Sequence, residues 1–210
     1  MATKIPAWLT GRLAALAILT GTAGTVYVTG DFHTQAGLQD EYVKAVAADT
    51  EVSQEVKIAM VMGWFYESSG KHIGTPYVDK LGKGQPLTVC NGITGPEVVA
   101  GKWYSMAECY HLEKRRYLQS EVEARRLLAY WSTYTPLTRA TFIDFVHNKG
   151  AANLATSTAR TLANRGDIAG ACKQMPRWNM GTVNGIKTVL PGLQLRGDAN
   201  GELCADWSTT

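Results

Sequence analysis

Residues 67–95 read ESSGKHIGTPYVDKLGKGQPLTVCNGITG, and this stretch decides the fold. Short alternating runs at 76–79 and 87–90 are typical of strands, and glycines interrupt them. We expect a small sheet of two or three strands within residues 75–101. A sheet of that size is too small to fold alone, so it must pack against other elements.

The same stretch brings two acids and a hydroxyl close together in the chain. Asp79 follows Glu67 by 12 positions, and Thr88 follows Asp79 by 9. Hydrolysis of a glycosidic bond needs one carboxylic acid to protonate the leaving oxygen and a second group to stabilise the cation or position a water. These three residues are therefore the candidate catalytic set.

A helical pattern precedes the sheet, over residues 42–67. Val56, Met60, Gly63 and Glu67 are spaced 4, 3 and 4 apart and share one face. Glu67 would end the inward-facing stripe, where a partly desolvated carboxylate suits a general acid. The alternative is an ordinary glutamate at a helix end, turned towards solvent.

Helix-start signals follow the sheet. Ser105 and Glu108 form a capping box, and Thr135-Pro136 has the order of an N-cap followed by a first-turn proline. The charged stretch 113–126 is predicted to be a solvated helical face, or else a basic patch for an anionic substrate. Shorter helices are expected from Ser157, Asp167 and Pro191. The predicted class is α+β: a mainly helical body, a small antiparallel sheet lobe and a cleft between them.

Composition limits the possible functions. The chain has 210 residues, of which 45% are hydrophobic and 19% charged, as expected of a single folded domain. Its net charge of +3 is too weak to indicate nucleic-acid binding. Phosphate loops, dinucleotide fingerprints and internal repeats are absent from the sequence.

The cysteines indicate disulfides rather than a metal site. Their number is even, no two form a C-x-x-C pair, and the four histidines lack ligand spacing. An oxidising compartment such as the periplasm fits this pattern, although four buried thiols in a cytosolic protein is the alternative. Of three possible connectivities we predict two bridges: Cys90–Cys109 and Cys172–Cys204.

The N-terminus carries a membrane signal. Residues 13–30 contain no charge and would form a helix about 27 Å long, with Lys4 and Arg12 before it and Asp31 after it. This charge order predicts a cytoplasmic N-terminus and a body outside the membrane. A cleaved signal peptide and a buried globular helix are alternatives to an uncleaved, weakly held anchor.

Taken together, these motifs resemble phage-type lysozymes, glycoside hydrolase family 24, over residues 55–205. The resemblance continues beyond the acids in FIDFVHNKG at 142–150, in 157–167, and in a tail with Arg177-Trp178, Pro191-Gly192-Leu193 and Arg196. The segment 13–30 is similar to the signal-anchor-release segment of some phage endolysins. We therefore expect three parts: an anchor (1–30), a connector with the start of the first helix (31–54) and a catalytic domain (55–210).

The resemblance implies an endolysin that hydrolyses the β-1,4 bond between N-acetylmuramic acid and N-acetylglucosamine without a cofactor or a metal. Glu67 would protonate the glycosidic oxygen, and Asp79 and Thr88 would position or activate water, with inversion. Tyr77, Asn91, Phe145 and Asn148 are the candidates for substrate contact. Expected partners are peptidoglycan and the host inner membrane, from which the monomeric chain would be released to the periplasm. A lytic transglycosylase and an inactive, membrane-tethered wall-binding or lysis-regulating protein are the alternatives.

Overall fold

A computed structural model of the chain describes residues 35–68, 71–80, 84–183 and 185–206. The predicted anchor, residues 13–30, lies outside these ranges. No helix in the described part of the chain is both long enough and apolar enough to cross a membrane.

Two helices occupy the region for which one continuous helical pattern was predicted. Helix α1 spans Gln35–Ala48 and helix α2 spans Gln54–Ser68. Between them Asp49 accepts a hydrogen bond from the Glu51 amide at 2.8 Å, and the Ser53 hydroxyl accepts from the Val56 amide at 3.4 Å. The prediction of one helix was wrong because this turn and its cap restart the helix. Helix α1 packs in the main core through the fully buried Tyr42 and Val46.

The small sheet has the predicted antiparallel form. Strands β1 (Tyr77–Val78), β2 (Leu87–Val89) and β3 (Ile93–Thr94) pair in chain order. Thr88 lies opposite both Tyr77 and Thr94. A second, smaller core lies under this sheet, and the predicted Cys90–Cys109 disulfide, which the structure confirms, ties it to the next helix.

That next helix, α3, spans Met106–Leu127 and begins at the predicted capping box of Ser105 and Glu108. The prediction that its charged stretch is wholly solvated was wrong at one position, because Glu113 is fully buried. Exposed charges such as Arg115 and Arg125 occupy the opposite face.

The remaining helices form the rest of the body. Thr135 caps α4 (Pro136–Lys149), Ser157 caps α6 (Thr158–Ala163) and Asp167 caps α7 (Ile168–Cys172), all as predicted. Helix α4 lies at the centre and packs against α2, α3 and α8 (Pro191–Asp206). The other helices are α5 (Ala151–Ala155), α6 (Thr158–Ala163), α7 (Ile168–Cys172) and α8 (Pro191–Asp206), with 3₁₀ turns at Trp131–Thr133 and Met175–Arg177.

A second hairpin was not predicted. Strands β4 (Met180–Val183) and β5 (Ile186–Val189) pair with each other and lead into α8. The dipeptide Asn184-Gly185 between them is a strong hairpin signal, so the sequence did contain the clue. The second predicted disulfide, Cys172–Cys204, is confirmed and joins α7 to α8.

Candidate active site

Glu67 lies in the last turn of α2, next to the sheet lobe. Its side chain is 26% exposed. One carboxylate oxygen, Oε1, accepts a hydrogen bond from Asn148 Nδ2 at 2.8 Å and also contacts Nη1 of Arg196. The other oxygen, Oε2, lies on the side of Gly92: a Cβ built at Gly92 would be 3.9 Å from it. The two oxygens of this carboxylate therefore have different surroundings.

Arg196, on α8, is a buried cation shared by two carboxylates. It donates to Asp144 from Nε at 2.9 Å and from Nη2 at 2.6 Å, a two-pronged ion pair in which both side chains are nearly or fully buried. Asn200 donates a further bond to Asp144 at 2.7 Å. Burial opposes the positive charge, but Asp144 and Glu67 raise the pKa of Arg196 well above its usual value. Asp144 is thus the principal counter-ion, and Glu67 contacts the remaining edge of the guanidinium.

Asp79 and Thr88 lie together on the sheet. The Asp79 amide donates to the Pro86 carbonyl at 3.0 Å, and the Thr88 hydroxyl donates to the same carbonyl at 3.1 Å. Thr88 is buried, and its cross-strand partner Tyr77 is half-exposed. The pKa of Tyr77 is raised by burial and by the charges of Asp79 and Glu67. Tyr77 therefore lies close enough to both candidate acids to interact with their charges.

The other candidates for substrate contact occupy different places. Asn148 contacts Glu67 directly. Phe145 is buried and meets Trp178 edge to face at 4.9 Å. Asn91 is also buried, and its side chain donates to Glu113 rather than pointing into the cleft.

A groove of about 570 Å³ lies between the β3 edge and the start of α5, and it reaches the neighbourhood of Glu67 through Gly92. Its lining includes Gly92, Thr94, Arg116, His147 and Gly150. Arg116 is fixed there by a 2.6 Å hydrogen bond to the Thr94 carbonyl. The groove is polar and open, which suits an extended, hydroxyl-rich polymer.

Sequence reasoning missed Asp144 and Glu113 as site residues and gave Arg196 no role. Arg196 was noted only as part of the tail that resembles phage-type lysozymes. Glu113 accepts hydrogen bonds from Tyr42 and Asn91, and burial is the main cause that raises its pKa to about 7. No local pattern marks such residues, because their partners lie 22 to 129 positions away in the chain.

One group of described side chains has the spacing of a metal site. The ligand atoms of Cys90, Cys109 and Glu113 lie within 4.8 Å of one another. Both sulfur atoms belong to a disulfide, however, so they offer no thiolate to a metal ion. The Glu113 carboxylate is instead occupied by protein donors.

Known proteins resemble this chain in sequence and in fold. The sequence model of the family described as Phage lysozyme matches residues 72–200. The chain is 38% identical to the SAR-endolysin of Bacteriophage PS119 over 130 residues, which cover 61% of this chain and 72% of that protein.

Two solved structures share the fold. The endolysin from Escherichia coli O157:H7 phage FAHEc1 superposes with a TM-score of 0.63 at 18% identity and covers 73% of this chain and 92% of its own. The active form of P1 phage endolysin Lyz superposes with a TM-score of 0.61 at 15% identity. The superposition covers 84% of this chain and 96% of the chain of Lyz. The protein therefore belongs to the phage lysozyme family and is an endolysin, a glycoside hydrolase that cleaves peptidoglycan in host cell lysis.

Proposed function

We propose that Glu67 is the general acid that protonates the glycosidic oxygen between N-acetylmuramic acid and N-acetylglucosamine. This role is supported by the different contacts that the two oxygens of its carboxylate make. Oε1 is engaged by Asn148 and Arg196, whereas Oε2 lies beside Gly92, whose lack of a side chain leaves room there. Oε2 is therefore the oxygen that carries the proton to the substrate.

Arg196 would orient the carboxylate of Glu67 while it also binds a second carboxylate. A guanidinium directed only at Glu67 would stabilise the carboxylate and oppose proton donation. Here two N–H groups of Arg196 bind Asp144, which is fully buried and needs a counter-ion. The guanidinium is therefore shared between two carboxylates rather than directed at Glu67 alone.

Asp79 and Thr88 would position and activate the attacking water. Their shared contact with the Pro86 carbonyl supports this role, because it places the hydroxyl of Thr88 and the backbone of Asp79 against one acceptor. A water held by a base on the face opposite the acid gives inversion at the anomeric carbon. The groove beside Glu67 would receive the glycan.

The products test this mechanism. Purified chain acting on peptidoglycan should release glycan with new reducing N-acetylmuramic acid ends, formed first as the inverted anomer. Fragments that end in 1,6-anhydro sugar would show transglycosylation, because that reaction uses no water nucleophile. A retained anomer would remove the proposed water-positioning role of Asp79 and Thr88.

We further propose that residues 13–30 hold the chain at the host inner membrane, facing the periplasm, before its release. Two facts support this: the uncharged 18-residue composition of the segment and the name SAR-endolysin carried by the curated relatives. Membrane fractionation with and without an uncoupler tests it. The uncleaved chain should move from the pellet to the soluble fraction when the membrane potential collapses.

A further inference from the structure

Glu113 is a buried carboxylate whose donors are all uncharged. Oε2 accepts from the Tyr42 hydroxyl at 2.5 Å and from Asn91 Nδ2 at 2.9 Å, and Oε1 accepts from the Asn91 amide at 3.2 Å. The side chain is fully buried. Burying an acid without a cation is costly, and a structure that keeps one gains something specific from its geometry.

Two of these three bonds fix one short turn. Asn91 is the middle residue of the turn at 90–92, which links β2 to β3. Cys90 and Gly92 on either side have φ values of 55° and 79°, in the left-handed region. Glycine adopts this conformation without strain, but a residue with a side chain, such as Cys90, does not. External contacts must therefore hold the turn in place.

Helix α3 supplies those contacts from one face. Cys109 is joined to Cys90, and Glu113, one helical turn later, binds Asn91. The disulfide fixes the start of the turn, and the carboxylate fixes its middle. The end of the turn, Gly92, is the residue that lies beside Glu67 Oε2.

The third donor to Glu113 is the Tyr42 hydroxyl, which belongs to the main core. Tyr42, on α1, stacks on Trp64 with ring centroids 4.2 Å apart, and Trp64 lies three positions before Glu67 on α2. Glu113 therefore connects the turn on one side of the catalytic acid to the helix that carries it.

We infer that Glu113 is a positioning residue, which sets the 90–92 turn against Glu67 and so fixes the space in which Oε2 meets the glycosidic oxygen. The inference rests on the proposed role of Glu67. It predicts that loss of the carboxylate lowers kcat more than it changes KM, because the substrate still binds but the acid is misaligned. A misplacement of about 1 Å can reduce the rate by about 10²-fold.

The decisive variant is Glu113→Met, which keeps the shape of the side chain but leaves three buried donors without an acceptor. We expect kcat on purified peptidoglycan to fall by about 10-fold or more, with KM within about twofold of the wild type. The Asn91 amide should also exchange its hydrogen faster, because its acceptor is gone. Glu113→Gln retains an acceptor for that amide and should keep most of kcat.

Glu121→Met is the matched control, since it removes a second carboxylate of α3, which is partly buried and accepts a hydrogen bond from Ser53 at 3.1 Å. It should lower the melting temperature without lowering kcat. The positioning role is overturned if folded Glu113→Met keeps kcat within twofold of the wild type. Should that variant not fold, Asn91→Ala replaces it: a several-fold loss of kcat supports the role, and an unchanged kcat overturns it. The exchange of the Asn91 amide does not depend on which residue is the acid, so a wrong role for Glu67 would be detected separately.

Discussion

Arg196 contacts the carboxylate of Glu67 across 129 positions of the chain, which makes the last helix part of the setting of the candidate acid. The same guanidinium binds Asp144 through two hydrogen bonds. Catalytic geometry and core stability thus depend on one side chain, and substitutions can separate the two effects.

Glu67→Gln should abolish lysis and leave the fold intact. The amide oxygen can still accept from Asn148, and Arg196 keeps Asp144 as its counter-ion, but the side chain cannot donate a catalytic proton. General acid catalysis contributes about 10²–10⁴-fold, so turbidity loss of outer-membrane-stripped cells should slow by that factor. Asp79→Asn should also be severely impaired. Wild-type rates in both variants would show that the catalytic site lies elsewhere.

Arg196→Ala should lose both stability and activity. Removing one partner of a buried ion pair leaves Asp144 charged, buried and bound only by Asn200 among the contacts described above, which costs about 3–5 kcal/mol. Urea unfolding measures this change. Arg177→Ala is the control, because Arg177 is exposed and its side chain donates to Gln174, the residue just before its 3₁₀ turn. An equal, small effect of both substitutions would contradict the shared-cation interpretation.

Glu113 should make the folded chain less stable as pH rises, whereas carboxylates with a lowered pKa have the opposite effect. Its pKa is raised from 4.5 to about 7 in the folded chain, mainly by burial, with the charge of Glu67 adding to the rise and the bonds from Tyr42 and Asn91 opposing it. Between these values the folded state binds more protons than the unfolded state, so the free energy of unfolding falls as pH rises from about 4.5 to about 7. The contribution is complete below that window and absent above it.

His147 has the opposite effect on the pH dependence of stability. The contribution of Glu113 must therefore be measured as a difference between two proteins. Burial, followed by the charge of Arg196, lowers its pKa from 6.5 to about 4, and stability therefore rises with pH across that window. Subtracting the pH profile of Glu113→Gln from that of the wild type isolates Glu113. A flat difference between pH 4.5 and 7 would exclude the effect.

Gly63→Ala should disturb the helix that carries Glu67. A Cβ at Gly63 would overlap the Tyr117 hydroxyl, and Gly63 lies one helical turn before Glu67. We expect a loss of about 1–3 kcal/mol from overpacking, with reduced activity. Among the residues that the structure describes, the buried Tyr117 hydroxyl has no hydrogen-bond partner, so Tyr117→Phe should partly rescue Gly63→Ala. A double-mutant cycle by thermal unfolding would show no coupling if the two sites were independent.

Leucine at Gly21, Gly24 and Thr25 should strengthen the proposed anchor. Eleven of the 18 residues in 13–30 are Ala, Gly or Thr, so insertion into a bilayer is only weakly favourable. Each substitution should add several tenths to about 1 kcal/mol and delay both release and lysis. A mature chain that begins near residue 30 would instead indicate an ordinary secreted enzyme.

Local signals predicted much of this structure. Caps at Ser105, Thr135 and Asp167 were predicted because the residues that form an N-cap lie within four positions of one another. An even set of cysteines predicted two disulfides, and the pairing that the structure shows was one of three possible connectivities. The break between α1 and α2 was missed although the sequence marks it locally, with the polar run Asp49-Thr50-Glu51 and the helix cap at Ser53. Asp144 and Glu113 were missed as site residues for another reason: a buried carboxylate is defined by distant donors, and sequence spacing does not reveal them.

The ion pair between Arg196 and Glu67 also has a consequence for biosynthesis. The ribosome makes Glu67, Asp79 and Thr88 long before it reaches α8, so a nascent or prematurely terminated chain can contain all three candidate catalytic residues and still lack the guanidinium beside Glu67. Truncation before Arg196 would further leave Asp144 without its cation and Cys172 without Cys204. A folded and active chain would therefore require synthesis through α8, and a frameshift before Arg196 would be damaging even where residues 67–95 are intact.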